Sequence, residues 1–163
     1  IRLCDTFNIP IVSLVDEPGF LIGPDAEKAG TILHGTEAVL ATTESTVPWT
    51  TVMIRKSFGV AAAAHYGPDG YVLAWPSAES GPLPLEGGVA VAFKKEIAQA
   101  ANPEAKRKEL EENMAKNQNP FLRAEAFSVH EIIDPRETRR YISLWADRIQ
   151  GQLKASLVKD KLI

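Results

Sequence analysis

The sequence predicts an α/β fold, and three observations carry that expectation. Apolar, β-branched runs alternate with helix-period segments along all 163 residues. The first run, Ile9 to Asp16, is almost continuously apolar, the pattern of a strand covered on both faces. Strong turn signals, Glu17-Pro18-Gly19-Phe20 and Gly67-Pro68-Asp69-Gly70, punctuate the alternation.

The elements follow in order. Leu3 and Phe7 mark the tail of an amphipathic helix that runs into the first strand. Asp25 is placed to cap a helix over Ala26 to Ser45, with Ile32, Val39 and Leu40 on one face. Thr46-Val47-Pro48 resets the chain, and Thr50 to Ile54 is a second β-branched strand. Arg55 to Gly59 reads as a turn, and Val60 to Tyr66 as a short, Ala-rich, buried helix. Tyr71 to Trp75 is a third strand, with room for a short one inside Pro76 to Pro84. A helix from Leu85 carries Val89, Ala92, Phe93 and Ile97 on one face. Glu104 to Lys116 is so charged that it reads as a solvated helix. Asn119-Pro120 opens another short helix, and Val129 to Ile133 is a brief strand. Asp134-Pro135-Arg136-Glu137 has the form of a capped helix start. The last helix carries the stripe Ile142, Trp145, Ile149 and Leu153, suited to a core or a subunit interface.

Composition excludes several classes. A net charge of -3 and a pI near 5.7 give no nucleic-acid footprint. The apolar stretches fall short of the roughly 18 residues that cross a membrane. The single Cys4 excludes an internal disulfide framework and fits a reducing compartment. His34, His65 and His130 stand far apart without a Cys or carboxylate cluster, so no metal is expected. The chain opens at Ile1, inside a helical pattern, which suggests the C-terminal part of a longer parent.

No Gly-x-Ser-x-Gly elbow and no phosphate loop is present. Two strand-to-helix turns remain, one after Asp16 and one at Gly59-Val60-Ala61. Ligands of α/β sheets sit beyond the carboxyl ends of strands. Helix starts there offer free N–H groups, and small residues let a ligand carbonyl approach. The Gly59 turn is thus a candidate oxyanion hole for a developing enolate. The competing reading of the same residues is close backbone packing.

Several motifs in fixed order carry a more specific signal. They are Cys4-Asp5-Thr6-Phe7-Asn8-Ile9-Pro10, Val15-Asp16-Glu17-Pro18-Gly19-Phe20, His34-Gly35, Thr46-Val47-Pro48, Arg55-Lys56-Ser57-Phe58-Gly59-Val60-Ala61 and Trp75-Pro76-Ser77-Ala78. Asn119-Pro120-Phe121, Ile132-Ile133-Asp134-Pro135 and Thr138-Arg139 continue the series. Together they resemble the C-terminal half of the carboxyltransferase β-subunits of biotin-dependent acyl-CoA carboxylases, the acetyl-CoA and propionyl-CoA class. The resemblance spans nearly all of residues 1–163.

The resemblance implies a crotonase-like (ClpP/crotonase) β-β-α superhelix and a biotin-side domain. It implies carboxyl transfer from carboxybiotin to the α-carbon of a short acyl-CoA. The catalytic groups would be the backbone at Gly59, Val60 and Ala61, which would hold the ureido oxygen of biotin. Pro18, Gly19 and Phe20 would line the biotin cavity, and Gly87 and Gly88 would lie near it. Implied partners are an acyl-CoA substrate, an N-terminal carboxyltransferase half, a biotin carboxylase and a biotinyl carrier protein, in a homo-oligomer. The implied setting is the cytoplasm, or the mitochondrial matrix in a eukaryote. Two departures stand out. Val60 occupies a position that is usually Gly, and Leu83-Pro84-Leu85 replaces a usual Met-Gly-Ala. They fall where the family shapes its acyl pocket. A biotin-dependent decarboxylase, a crotonase-type hydratase or isomerase and a non-catalytic scaffold are the alternative readings.

Overall fold

In the computed structural model, residues 1–159 are described. The elements are α1 (Arg2–Thr6), β1 (Ile11–Glu17), α2 (Pro24–Lys28), α3 (Thr31–Thr43), β2 (Trp49–Phe58), α4 (Gly59–Ala63), β3 (Tyr71–Ala74), β4 (Glu79–Gly81), α5 (Leu85–Ala92), α6 (Lys94–Gln99), α7 (Pro103–Lys116), α8 (Pro120–Glu125), β5 (Glu131–Ile132) and α9 (Thr138–Lys159). A 3-10 turn over Pro135–Glu137 precedes α9.

All strand pairs are parallel. The sheet runs β1-β2-β3-β5, with β4 also on β2. Strand β3 pairs the first half of β2, Thr50 to Met53, and β4 pairs the second half, Lys56 to Phe58. The short segment between them turns at Trp75, whose carbonyl accepts from the Ala78 N–H at 2.9 Å. The long β2 is therefore the spine on which the other strands register.

Alternation along these strands builds two core layers. Val52, Leu73 and Ile133 pack on one face with Tyr141 and Ile142 of α9. Met53, Val72, Ala74, Ala78 and Val129 pack on the other with Tyr66 and Ala124. Trp145 and Ile149 are buried, so that part of the α9 stripe is core. The cap expected at Asp134 is present, and Asn102 and Asn119 cap α7 and α8 in the same way. Asn102, Asn119 and Asp134 accept the backbone N–H groups of Ala105, of Phe121 and Leu122, and of Arg136.

Four expectations are corrected. Strand β1 is not covered on both faces: Val12 and Leu14 are 41% and 56% exposed, and only its Val15 face meets this chain's core. The helix expected over 26–45 is two helices, broken where Gly30 turns left-handed at φ 71°. Asp25 lies inside α2 rather than at its cap, which is Gly23, and Ile32 and Leu40 are exposed while Gly35 and Thr42 are buried. The residues expected as a turn, Arg55 to Phe58, continue β2. They can do so because a bulge between Val15 and Glu17 is tied by Asp16, which accepts from the Lys56 N–H at 3.2 Å and from Arg55 Nε at 3.1 Å.

Candidate functional site at the carboxyl ends of the strands

Three parallel strands end side by side. Glu17 of β1 is in register with Ser57 of β2, and Ser57 with Ser80 of β4. Each strand is followed at once by a turn that contains residues singled out above.

The first turn is Pro18-Gly19-Phe20. Glu17 Oε1 accepts the Gly19 N–H at 2.8 Å, which folds the chain back immediately after β1. Gly19 has φ 121°, a conformation that side chains rarely adopt. The Phe20 ring lies on Gly35 of α3, so closely that a Cβ at 35 would stand 2.2 Å from it. The bare backbone of Gly35 is thus what lets the turn dock.

The second turn is Gly59-Val60-Ala61. Phe58 is buried and extended, and Gly59 reverses the chain at φ 65° to open α4. The left-handed conformation falls on Gly59 alone, so Val60 carries no backbone strain. Val60 is 68% exposed, whereas Ala61 is 3% exposed and fixed against the sheet. Helix geometry leaves the first N–H groups of α4 without acceptors in their own turn.

The third turn leads from β4 into α5. Its Pro82 carbonyl oxygen lies 3.4 Å from where a Gly59 Cβ would stand, so the second and third turns abut. Gly88 packs under Leu83, where an added Cβ would come within 2.9 Å. Gly87 has φ 83° and open space on its Cβ side. Gln118, buried at 4% exposure, holds this loop from α7's end: its Nε2 donates to the Leu83 carbonyl and its own carbonyl accepts from the Ser80 N–H, both at 2.9 Å. Its Oε1 is buried without a hydrogen-bond partner.

Beneath the second turn lies a cavity of about 300 Å³. Gly59, Ala62 and Ala63 form one wall, and Ser57, Tyr66, Ser80, Arg123 and Ser128 supply its polar groups. Ser57 Oγ and Tyr66 Oη are 2.7 Å apart, and Arg123 Nε donates to Ser80 Oγ at 3.1 Å. Burial raises the Tyr66 phenol above its ordinary pKa, against the lowering by Ser57 and Arg123, so it stays a neutral hydroxyl. Pro18, Gly19, Phe20, Gly87 and Gly88 do not line this cavity. A larger one, about 540 Å³, lies at the opposite edge of the sheet between Asn8, Pro48, Tyr71 and Trp145. Ligands of α/β sheets bind at the carboxyl ends, which favours the smaller one.

The cavity's polar floor escaped the sequence. Ser57 is part of the motif series without a role, Tyr66 only ends the expected Ala-rich helix, and Arg123 lies in a short helix like any solvated cation. Their meeting depends on the β2–β4 pairing and on α8 crossing below it, and no local pattern encodes either.

The carboxyl transferase domain profile matches residues 1–156. A propionyl-CoA carboxylase carboxyltransferase subunit of Haloferax mediterranei is 43% identical over 144 residues, 85% of this chain and 28% of that protein. The methylmalonyl-CoA decarboxylase subunit alpha of Propionigenium modestum is 40% identical over 157 residues, 93% of this chain and 30% of that protein. The crystal structure of the transcarboxylase 12S hexamer, bound to methylmalonyl-CoA, superposes with a TM-score of 0.80 at 41% identity, over 91% of this chain and 29% of that one. The chain thus spans under a third of the relatives it matches. The parallel sheet, its bipartite β3–β4 edge and the helices behind it are the crotonase-like arrangement of these carboxyltransferases. On this agreement of profile, identity and fold, the chain belongs to the carboxyl transferase domain family.

Proposed function

We propose that residues 1–163 form the C-terminal, biotin-side domain of a longer carboxyltransferase. The whole protein would move a carboxyl group from carboxybiotin to the α-carbon of a short acyl-CoA of the acetyl or propionyl class. The observation that carries this is the Gly59 turn. A left-handed glycine delivers two helix-start N–H groups, of Val60 and Ala61, beyond the carboxyl end of the central strand.

Biotin would supply the carboxyl group on a ring nitrogen and, once relieved of it, a base for the acyl-CoA α-proton. The residues fit such a group: two N–H donors suit a ureido oxygen, and small side chains at Ala61 to Ala63 leave it room. The Val60 and Ala61 N–H groups would donate to that oxygen and stabilise the negative charge that builds there. Gly59 would keep them aimed, since its φ of 65° fixes the exit from β2. Pro18-Gly19-Phe20, one strand away, would form a side wall, and Gly87 and Gly88 the start of α5 opposite. No side-chain acid or base is needed on this domain. The partners would be an N-terminal carboxyltransferase half, a biotin carboxylase and a biotinyl carrier protein, in a homo-oligomer. No helix among the described residues is long and apolar enough to cross a membrane.

The test is transcarboxylation by the protein in its native assembly, with malonyl-CoA and methylmalonyl-CoA each offered with free biotin. Biotin-dependent loss of the carboxylated thioester is expected. No loss of either thioester by an intact assembly overturns the reading. Decarboxylation is the second reading, favoured by the 40% identity to the Propionigenium subunit. Carboxylated thioester that forms from bicarbonate and ATP in the same assembly separates synthesis from decarboxylation.

A further inference from the structure

We propose that the cavity beneath the Gly59 turn is a carboxylate-binding subsite with Arg123 as its anchor. The cavity holds about 300 Å³, enough for a chain of several heavy atoms ending in a charged group. None of its lining residues is acidic, and among the described residues no carboxylate pairs with Arg123. Arg123 is half-buried, and its guanidinium is held by one neutral acceptor, Ser80 Oγ at 3.1 Å, itself a buried side chain. Guanidinium groups carry five donors in a fixed fork that matches a carboxylate. A single hydroxyl satisfies one of them.

The neighbours complete the match. Tyr66 and Ser57 are bonded to each other at 2.7 Å, and a shared hydrogen leaves one hydroxyl hydrogen of the pair for an outside acceptor. Ser128 adds a third hydroxyl to the lining. Met53, Ala62, Ala63 and Val129 form apolar walls, which lowers the local dielectric and strengthens a charge-assisted bond. The same cavity is lined by Gly59, beside the N–H groups at which the proposed carboxyl transfer takes place. A guanidinium with no carboxylate partner among the described residues, in a cavity without acidic lining, selects an anionic ligand.

Two sources share this chemistry. One is a terminal carboxylate on the acyl group, as in a dicarboxylic acyl-CoA. The other is the carboxyl group in transfer. Both rest on the function proposed above, and binding of a free dicarboxylate does not.

The experiment has two readouts on the native assembly, with Arg123→Met, which keeps the stem, and Arg123→Lys, which keeps the charge. Calorimetric titration with succinate is expected to show binding that weakens at least tenfold in Arg123→Met and less in Arg123→Lys. Succinate binding of equal strength in the wild type and Arg123→Met, or none in either, overturns the subsite. Kinetics then locate the source. If it is the acyl terminus, the kcat/KM ratio of succinyl-CoA over propionyl-CoA falls at least tenfold in Arg123→Met, through KM. If it is the transferred group, kcat falls for both acyl-CoAs alike and the ratio holds. An assembly that binds succinate through Arg123 but carboxylates no acyl-CoA keeps the subsite and overturns the function.

Discussion

The two edges of the sheet solve the same chain-reversal problem with different residues. In the loops that follow the carboxyl ends of β1, β2 and β4, the positive-φ positions are Gly19, Gly23, Gly59 and Gly87. At the amino edge they are Asn8 before β1, Asp69 before β3 and Phe127 before β5. A left-handed residue with a Cβ costs about 1–2 kcal/mol, and polar short side chains lower that cost. The amino edge therefore tolerates the strain. The carboxyl edge avoids it, and three of its four glycines have nothing within 4 Å of a would-be Cβ. Bare backbone facing open space is what a ligand carbonyl needs, and a mere turn does not. The difference in residue choice supports the proposal that the carboxyl edge carries the site, although the larger cavity lies at the other.

Gly59→Ala should break the contrast most severely. The methyl group would force a side chain into φ 65° and stand 3.4 Å from the Pro82 carbonyl. The strain costs about 1–2 kcal/mol of stability. Misaiming the N–H groups should lower kcat about 100-fold, the usual size for one lost oxyanion donor. Thermal unfolding and steady-state transcarboxylation read the two effects separately. A variant that loses stability and keeps full kcat would make the glycine a packing residue.

Gln118→Glu tests whether the loop beside that turn is held as described. The buried Nε2 donor to Leu83 would become a carboxylate beside a carbonyl. An unpaired buried charge costs about 2–3 kcal/mol or more at neutral pH. Protonation restores a donor, so the loss should shrink as pH falls toward the ordinary Glu range and be gone below it. Denaturant midpoints at neutral pH and near pH 4 measure this, and equal losses at both would place the Leu83 contact elsewhere.

Both edges contribute to the acid limb of stability. Asp5 is held below its ordinary pKa chiefly by the Thr46 N–H at 2.6 Å, and it ties α1 to the start of β2. Asp16 is held down chiefly by the Arg55 guanidinium, then by the Lys56 N–H, at the bulge near the working edge. Asp134 falls to about 2 because of its Arg136 pair. A lowered carboxyl pKa gives stability that is full above the unfolded value and lost as pH falls through the folded one. Stability should thus hold down to about pH 4 and decline toward 2. Asp16→Asn and Asp5→Asn should each flatten part of that decline. At the other extreme, burial, and then Glu131, pushes the Tyr71 phenol up to about 12, so its contribution is full below pH 10 and lost between 10 and 12. Chemical denaturation across pH with these variants measures both limbs.

Local chemistry made much of this legible in the sequence. The Gly67 to Gly70 turn and the helix starts at Asn102, Asn119 and Asp134 depend on residues within four positions of each other, and the motif series identified the fold. What the sequence hid was long-range. The apolar pattern of β1 cannot tell which surface covers Val12 and Leu14. The polar Arg55-Lys56 pair resembles a turn until Asp16, 39 positions away, is seen to accept from it. Arg123 gains meaning only from Ser80, 43 residues earlier.

The smallest predicted effect has the opposite sign. Phe127 is 90% exposed and adopts φ 56°, with its N–H held by the Ala124 carbonyl at 3.0 Å. Its ring therefore gains little from burial while its backbone bears the left-handed cost. Glycine there removes about 1–2 kcal/mol of strain. It gives back about 0.4–1 kcal/mol, because the unfolded chain becomes freer. Phe127→Gly should thus stabilise the fold by about 0.5 kcal/mol, seen as a higher urea midpoint at unchanged slope. The same exchange in reverse, at Gly59, should destabilise and inactivate. If instead Phe127→Gly lowers the midpoint, the amino edge depends on that side chain, and the two edges differ in their packing partners rather than in strain.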